Sequence, residues 1–411
     1  MNKAAIATLG CKVNHYESAG IMEALTRRGF SIVPFDSPAD VFIVDTCTVT
    51  KKSDFQSRQL IRRAYRKNPA ALIVVTGCYA QIAPAVLAEE PGVTLVVGTG
   101  AKDMIPDLVS DECIDGQRLI VPDVASLTQC SCPPVTRFEG QTRAYLKVQD
   151  GCDSFCSYCI VPYARGPSRS VPVDDVLARL RELVEAGSRE VVLTGIHLGA
   201  YGRDLMPQTD LCTLLKRIEQ ETKLERLRLS SIEPADLTDD IISFMRDSAI
   251  LCRHLHIPLQ SGDDEILRAM NRHYTSGEFR ERIEAVLQSV PEAGIGIDVM
   301  AGFPGESARA FETSLTFLES LPVAYFHVFP YSKRPGTAAV ALPGHVAETV
   351  IKERAALLRG LGNAKRHGFN NRAVGSMQSV LVEDTRDGST GYMRGFSENY
   401  IPILIEDAPH N

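Results

Sequence analysis

Cys152, Cys156 and Cys159 stand in the segment DGCDSFCSYCIVPYAR (150–165), with three and then two residues between them. Three thiolates can hold three irons of a cubane cluster and leave the fourth iron open to a substrate or cofactor. A closed four-cysteine site mainly carries electrons or holds structure. A zinc knuckle or a chance group of buried cysteines is the plain alternative. Structural zinc takes four ligands, and no fourth cysteine or histidine occurs in the next thirty residues. The spacing therefore points to chemistry at an open iron.

A second set of three cysteines emerges only when the elements around them are considered. Ala4 to Leu9, Val41 to Asp45, Leu72 to Thr76 and Thr94 to Val97 are apolar runs separated by helical stretches, the pattern of an open parallel α/β sheet. Cys11 follows the first run, Cys47 the second and Cys78 the third. Ligand sites in such sheets lie beyond the carboxyl ends of the strands. Three thiols more than thirty residues apart should therefore meet there. A single cysteine of this kind is commonly a small buried apolar residue. Three at equivalent positions of successive strand-loop units predict a second three-thiolate site.

Downstream, periodicity weakens between about Pro106 and Gly140, as in a linker with one small strand at Leu119 to Val121. Six strand candidates then alternate with helices: Ala144 to Gln149, Glu190 to Thr194, Leu227 to Ser230, His254 to Pro258, Gly296 to Met300 and Tyr325 to Phe329. Asp174 and Asp263 are placed as N-caps, and Pro291 and Pro322 as stops. This predicts a partial (βα)6 barrel with its site at the strand C-terminal face, where the Cys152 loop follows the first strand. A helix from Val346 to Phe369 leads into three short strands, Met377 to Glu383, Gly391 to Phe396 and Tyr400 to Glu406, joined by an Asp387-Gly388 turn. The fold class is thus α/β. The expected domains are 1–120 for the N-terminal sheet, 121–140 for the linker, 141–369 for the barrel and 370–411 for an all-β appendage.

Composition sets bounds. With 411 residues, 44% hydrophobic and 23% charged, the chain is a globular protein of several domains. No apolar run approaches the ~20 residues that span a bilayer. The expected location is cytoplasmic, with no membrane partner. Eleven cysteines in that setting suit metal ligation better than disulfides. The net charge of -7 gives no global sign of nucleic acid, but Lys51 to Lys67 holds seven basic residues and one acidic. Arg58, Arg62 and Arg66 form a stripe on one helix face, read either as a solvated surface or as a phosphate contact. Cys113, Cys130, Cys132, Cys212 and Cys252 receive no functional role, the last two reading as core.

The Cys152 loop, with Tyr158 at its aromatic position, resembles that of the radical S-adenosylmethionine (SAM) superfamily. Over nearly its whole length the chain resembles the methylthiotransferases. LGCKVNHYES (9–18), DTCTVT (45–50), TGCYAQ (76–81), LTGIHLGAYG (193–202), RLSSIEP (228–234), HIPLQSG (256–262) and GFPGE (302–306) carry the likeness. KVN after Cys11, TVT after Cys47 and HLGAYG from His197 are similar to the subgroup acting on N6-threonylcarbamoyladenosine in tRNA.

The resemblance implies two [4Fe-4S] clusters, one on Cys152, Cys156 and Cys159 and an auxiliary one on Cys11, Cys47 and Cys78. It also implies SAM as methyl donor and radical source, an electron donor and a sulfur source not identified by the motifs, and the tRNA anticodon stem-loop as substrate. Methylthiolation at adenine C2 of the modified adenosine at position 37 would follow. SAM is expected near Tyr158, Thr194, Gly195, Ser231, Glu233 and the Gly302 to Gly305 turn. RNA is expected at Arg58, Arg62 and Arg66, and at Lys365 and Arg366 leading into a TRAM-like appendage expected to be incomplete. Two rivals remain: methylthiolation of a ribosomal-protein aspartate, against which KVN and HLGAYG speak, and a non-catalytic iron–sulfur protein for tRNA binding or electron transfer. Two open three-thiolate sites speak against the second.

Overall fold

The structure, a computed structural model, describes residues 2–110, 118–136, 138 and 140–406; Cys113 lies outside the described residues. Strands β1 (Lys3–Thr8), β2 (Ser31–Ile32), β3 (Val41–Thr46), β4 (Leu72–Gly77), β5 (Val93–Val97) and β6 (Arg118–Ile120) form one parallel sheet in the order β2-β1-β3-β4-β5-β6. All six residues of β3 are buried, as expected of a parallel strand covered by helices on both faces. Phe42, Val44, Ile73 and Val75 pack with Ile61 on one face, and Ile43, Val74 and Leu95 with Leu25 on the other. Thr8 pairs with Asp45 and Asp45 with Thr76. The three strands therefore end level, and Cys11, Cys47 and Cys78 leave the sheet at one edge.

Strand β7 (Ala144–Lys147) opens the second unit and is followed by a small antiparallel pair, β8 (Gln149–Asp150) with β9 (Arg169–Ser170). The parallel strands β10 (Glu190–Thr194), β11 (Arg226–Leu229), β12 (His254–Gln260), β13 (Gly294–Ala301) and β14 (Tyr325–Pro330) complete the barrel wall. Its order is β7-β10-β11 and β12-β13-β14, the halves linked by the bridges Leu227↔Leu251 and Ser231↔His256. The outer helices are amphipathic: Val173–Glu185 buries Val176, Leu177, Leu180 and Leu183 at helical spacing.

Asp263 caps its helix by accepting from the Glu265 and Ile266 amides. Asp174 does not cap. Pro172, with φ -53° and ψ 142°, turns the chain two residues earlier, so Asp174 lies in the first turn, where its charge still suits the helix dipole.

The long helix Glu348–Arg372 leads to an antiparallel sheet of β15 (Val380–Arg386), β16 (Met393–Ser397) and β17 (Pro402–Ile405). Its β16–β17 turn reaches the barrel floor. The Tyr400 ring lies 4.6 Å from that of His254, and Gly294 packs so tightly on the Asn399 carbonyl that a side chain there would collide with it.

The N-terminal unit docks on the barrel through the helix Lys12–Arg27, whose Tyr16 shares the barrel core. Beside it lies a buried ionic group. Lys102 Nζ reaches Glu17 Oε2 at 2.6 Å and Asp45 Oδ1 at 2.9 Å. Lys147 Nζ reaches Glu17 Oε1 at 2.7 Å, and Arg165 joins Glu17 at 3.2 Å and Asp150 at 2.9 Å. Burial alone would raise the Glu17 carboxyl; Arg165, Lys102 and Lys147 outweigh it and hold the group well below its ordinary value.

Replacing Glu17 by Gln leaves three buried cations short of an anion. Chemical denaturation at neutral pH should show a loss of about 3–5 kcal/mol. A depressed carboxyl stabilises above its unfolded value and loses that contribution as pH falls. The gap between native protein and Glu17→Gln should therefore narrow below about pH 4.5.

Candidate active site

Each cysteine set is presented by backbone that the sequence makes locally necessary. Gly77, before Cys78, has φ +95°, and a Cβ there would press into the Thr46 carbonyl; Gly151, before Cys152, has φ +76° and would meet the Pro167 carbonyl. Only glycine fits these turns. Asn14 Nδ2 donates to the Leu9 and Thr46 carbonyls at 2.8 and 3.2 Å, tying the Cys11 and Cys47 loops together. Cys47 and Cys78 are buried and Cys11 is exposed. Burial pushes the Cys78 thiol up to about 12 against the opposing charge of Arg165.

In the barrel, the Cys152 loop runs from β8 to the helix Val161–Arg165. Burial pushes Cys159 up to about 12, and the nearby Cys156 and Cys152 add to the rise. Burial also opposes ionisation of Cys152, yet His197 and Ser154 outweigh it and lower that thiol. His197 Nδ1 lies 3.8 Å from Cys152 Sγ, and its Nε2 lies 2.6 Å from Asp236 Oδ2. Burial pulls the imidazole down, but Asp236 and Cys152 lift it to about 10, so it is protonated at neutral pH. Arg272 Nη1 stands 3.4 Å from Cys156 Sγ and its guanidinium pairs with Glu233.

The two sets are joined by packing. The helix Cys78–Ile82 packs against Val161–Arg165, Thr99 Oγ1 donates to the Ala164 carbonyl at 2.6 Å, and Arg334, beyond β14, pairs with Asp54 at 2.7 Å beside the Cys47 loop. Arg165 is fully buried at this junction, where its charge bears on both Cys78 and Cys11. All six thiols are free; Cys11, Cys47 and Cys78 act on one another electrostatically, as do Cys152, Cys156 and Cys159, with the charge of Arg165 bearing on the first set and Arg272 touching the second. Such a donor set fits a cubane cluster with one open iron.

Other expected site residues are placed as follows. Tyr158 is wedged against Phe303, with ring centroids 6.4 Å apart. Thr194 ends β10, and Gly195 packs on the Gln149 side chain. Ser231 bridges to His256. Gly302, at φ +80°, packs on Ile351 and donates to Glu306 Oε2 at 2.8 Å, whereas Gly305 faces open space. Arg58 and Arg62 converge on Glu90, while Arg66 makes no ion pair among the described residues. Lys365 donates to the Glu319 and Leu321 carbonyls at 3.0 and 2.7 Å, and Arg366 lies over the Tyr325 ring at 4.6 Å.

His197, Arg165 and Arg272 are site residues that motif spacing does not single out. His197 falls inside the HLGAYG segment and Arg165 closes the 150–165 segment, whereas no local signal marks Arg272.

The barrel lumen is polar. His256 Nε2 lies 2.8 Å from Asp298 Oδ1 and His327 Nδ1 3.6 Å from it, and ligand atoms of the three lie within 4.8 Å of one another. Burial would raise Asp298, but the two histidines overcome it and hold the carboxyl below its ordinary range. Lys12 and Arg228 line the same cavity, so the local field disfavours a cation between these three side chains.

Residues 146–318 match the radical SAM superfamily, and residues 3–98 match a family described as uncharacterized protein family UPF0004. A solved radical SAM methyltransferase, TsrM from Kitasatospora setae, shares the fold at a TM-score of 0.63 and 16% identity, covering 83% of this chain and 77% of that one. Fold and sequence together define a radical SAM protein.

Among curated proteins, the threonylcarbamoyladenosine tRNA methylthiotransferase MtaB of Bacillus subtilis is 36% identical over 410 residues, covering 99% of this chain and 91% of that protein. MtaB of Aquifex aeolicus is 36% identical over 408 residues, with 98% and 97% coverage. A tRNA-2-methylthio-N(6)-dimethylallyladenosine synthase of Pelotomaculum thermopropionicum is 32% identical over 421 residues, with 100% and 93% coverage. The chain belongs to the threonylcarbamoyladenosine tRNA methylthiotransferase family.

Gly187 also has positive φ, but a Cβ added there would meet no neighbour within 4 Å. Gly187→Ala should therefore cost only the left-handed penalty of about 1–2 kcal/mol. Denaturant titration should show distinctly larger losses for Gly77→Ala and Gly151→Ala.

Proposed function

We propose that this protein methylthiolates C2 of N6-threonylcarbamoyladenosine at position 37 of tRNA, with Cys152, Cys156 and Cys159 holding one [4Fe-4S] cluster and Cys11, Cys47 and Cys78 the other. The reading is supported by two sets of three free thiols, one on each side of the packed helices Cys78–Ile82 and Val161–Arg165. An aromatic C2–H bond is neither acidic nor readily displaced, so radical activation and a separately held sulfur suit this target. When bound, the clusters and SAM would supply the radical, the methyl group and a place to present the sulfur; an external donor would supply the electron and a separate source the sulfur itself.

The chain's own residues hold these parts in line. Protonated His197 directs Nδ1 at Cys152 while Asp236 takes its Nε2 proton in a hydrogen bond, which fixes the ring. Arg272, held by Glu233, offsets thiolate charge at Cys156. Arg165 does so at Cys11 and Cys78. SAM is assigned to the strand ends around Thr194, Gly195, Ser231 and the Gly302 to Gly305 turn, next to Tyr158. The RNA stem is assigned to the helix Lys51–Lys67, which starts beside Cys47 and, at about 1.5 Å per residue, carries Arg66 on the order of 20 Å from its start. Phosphates would compete with Glu90 for the exposed Arg62. A tRNA substrate suits a cytoplasmic location.

Two triple variants test the assignment after anaerobic reconstitution. Replacing Cys11, Cys47 and Cys78 by Ala should remove about half of roughly eight irons, leave SAM cleavage to 5′-deoxyadenosine, and abolish the methylthio product. Replacing Cys152, Cys156 and Cys159 should abolish SAM cleavage as well. Nucleoside mass spectrometry of tRNA from a host lacking the gene should show N6-threonylcarbamoyladenosine accumulating. An unchanged methylthio peak there would reject the tRNA reading.

A further inference from the structure

The loop between Cys152 and Cys156 displays a side chain for which the fold has little use. Phe155 is 52% exposed, and its backbone is left-handed at φ +44°. For a bulky residue that conformation is a genuine outlier, because Cβ crowds the following carbonyl. Asn271 holds it there: its Nδ2 donates to the Ser154 and Phe155 carbonyls at 3.2 and 3.1 Å. A half-exposed ring on strained backbone contributes little to stability. Strain of this kind collects at functional sites.

The ring has a partner. Tyr163, on the helix Val161–Arg165 and 47% exposed, meets it edge to face with centroids 5.9 Å apart. Single exposed apolar residues are ordinary on a protein surface; two aromatic rings set against each other beside Cys156 are not. The acid of the same loop, Asp153, is turned back onto the Ser168 amide at 3.1 Å. Contacts lead from the ring pair to the basic face of the helix Lys51–Lys67. Val161–Arg165 packs on Cys78–Ile82, whose Tyr79 hydroxyl accepts from Arg58 Nη1 at 2.8 Å. Arg62 and Arg66 continue that face, both exposed. Proteins hold unpaired nucleotides in this way, with rings that stack bases and cations that meet the phosphates.

Resting on the function proposed above, we infer that Phe155 and Tyr163 form a stacking platform for an unpaired anticodon-loop base next to the one that is modified. Chemistry on a base requires it to leave the stack, which strips the adjoining base of a neighbour. A protein ring beside the cluster loop replaces that lost stacking. Phe155 thereby acts as a positioning residue: it holds the neighbouring base, and through the RNA backbone the target, while the phosphates run toward Arg58, Arg62 and Arg66.

The test uses anaerobically reconstituted enzyme and anticodon stem-loops carrying N6-threonylcarbamoyladenosine, either intact or with one abasic nucleotide on one or the other side of the target. Affinity is read by fluorescence anisotropy and product by nucleoside mass spectrometry, with iron content recording whether the loop keeps its cluster. Phe155→Leu should weaken binding of the intact loop about tenfold, the loss of one base stacked on a ring, and Phe155→Trp should restore it. Tyr163→Leu, outside the cysteine loop, should weaken it several-fold. One of the abasic loops should cost the native enzyme about the same factor as Phe155→Leu, yet cost that variant nothing further, because the stack is already gone. If Phe155→Leu loses iron, the same cycle is run with Tyr163→Leu. Losses that multiply at both abasic positions overturn the platform and leave the methylthiotransferase reading standing. A Phe155→Leu variant that binds RNA as the native enzyme does overturns it too; slow turnover of that variant with a protein reductant but not with dithionite would then give the surface to an electron carrier. Native enzyme that converts no stem-loop removes the functional reading, and the platform with it.

Discussion

Glu17 is the point at which two units of this chain become one. Its carboxylate accepts charge from Lys102 on its own unit and from Lys147 and Arg165 on the barrel. None of these groups is tolerable alone in the interior, since an unpaired buried charge costs several kcal/mol. Neither unit can satisfy its share of the network without the other. Docking is thus built into the stability of each, and the spacing between the two thiol sets is fixed by the same contacts that make the protein fold. A chemistry that must hand one group across a gap of fixed width gains from such a frame.

The same logic explains the interior of the barrel. Alternate residues of a strand face the lumen, and here those positions carry Arg228 on β11 with Ser230 just beyond it, His254 and His256 on β12, and Tyr325 and His327 on β14. Each of these would be costly in a packed apolar core. They satisfy one another instead, as His256 and His327 do with Asp298, while the surrounding helices and outward-facing strand residues supply the apolar burial: Leu255, Ile257, Ile295, Ile297 and Val299 are at most 1% exposed.

Much of this is readable in sequence because it rests on local periodicity. The six barrel strands, the parallel N-terminal sheet and the capping by Asp263 follow from apolar spacing and cap chemistry, and the level ends of β1, β3 and β4 follow from strand-loop repetition. Asp174 reads as a cap, but Pro172 turns the chain first. What sequence does not give is pairing at long range. Arg165 and Glu17 are 148 residues apart, and Arg272 is separated from Cys156 by 116; no periodicity links such partners. The polar lumen is likewise hidden, since Lys12 and the strand residues that line it come from different units.

The C-terminal sheet plays a part that its position at the end of the chain disguises. Tyr400 packs at a tilt under His254 and Asn399 seals against Gly294, so the floor of the lumen includes residues contributed by the appendage. Exchanging this appendage with that of a relative would accordingly be an operation on the reaction chamber as much as on the RNA-facing surface. A chimera joined after the helix Glu348–Arg372 inherits the donor's floor tile along with its β module, and would have to match both.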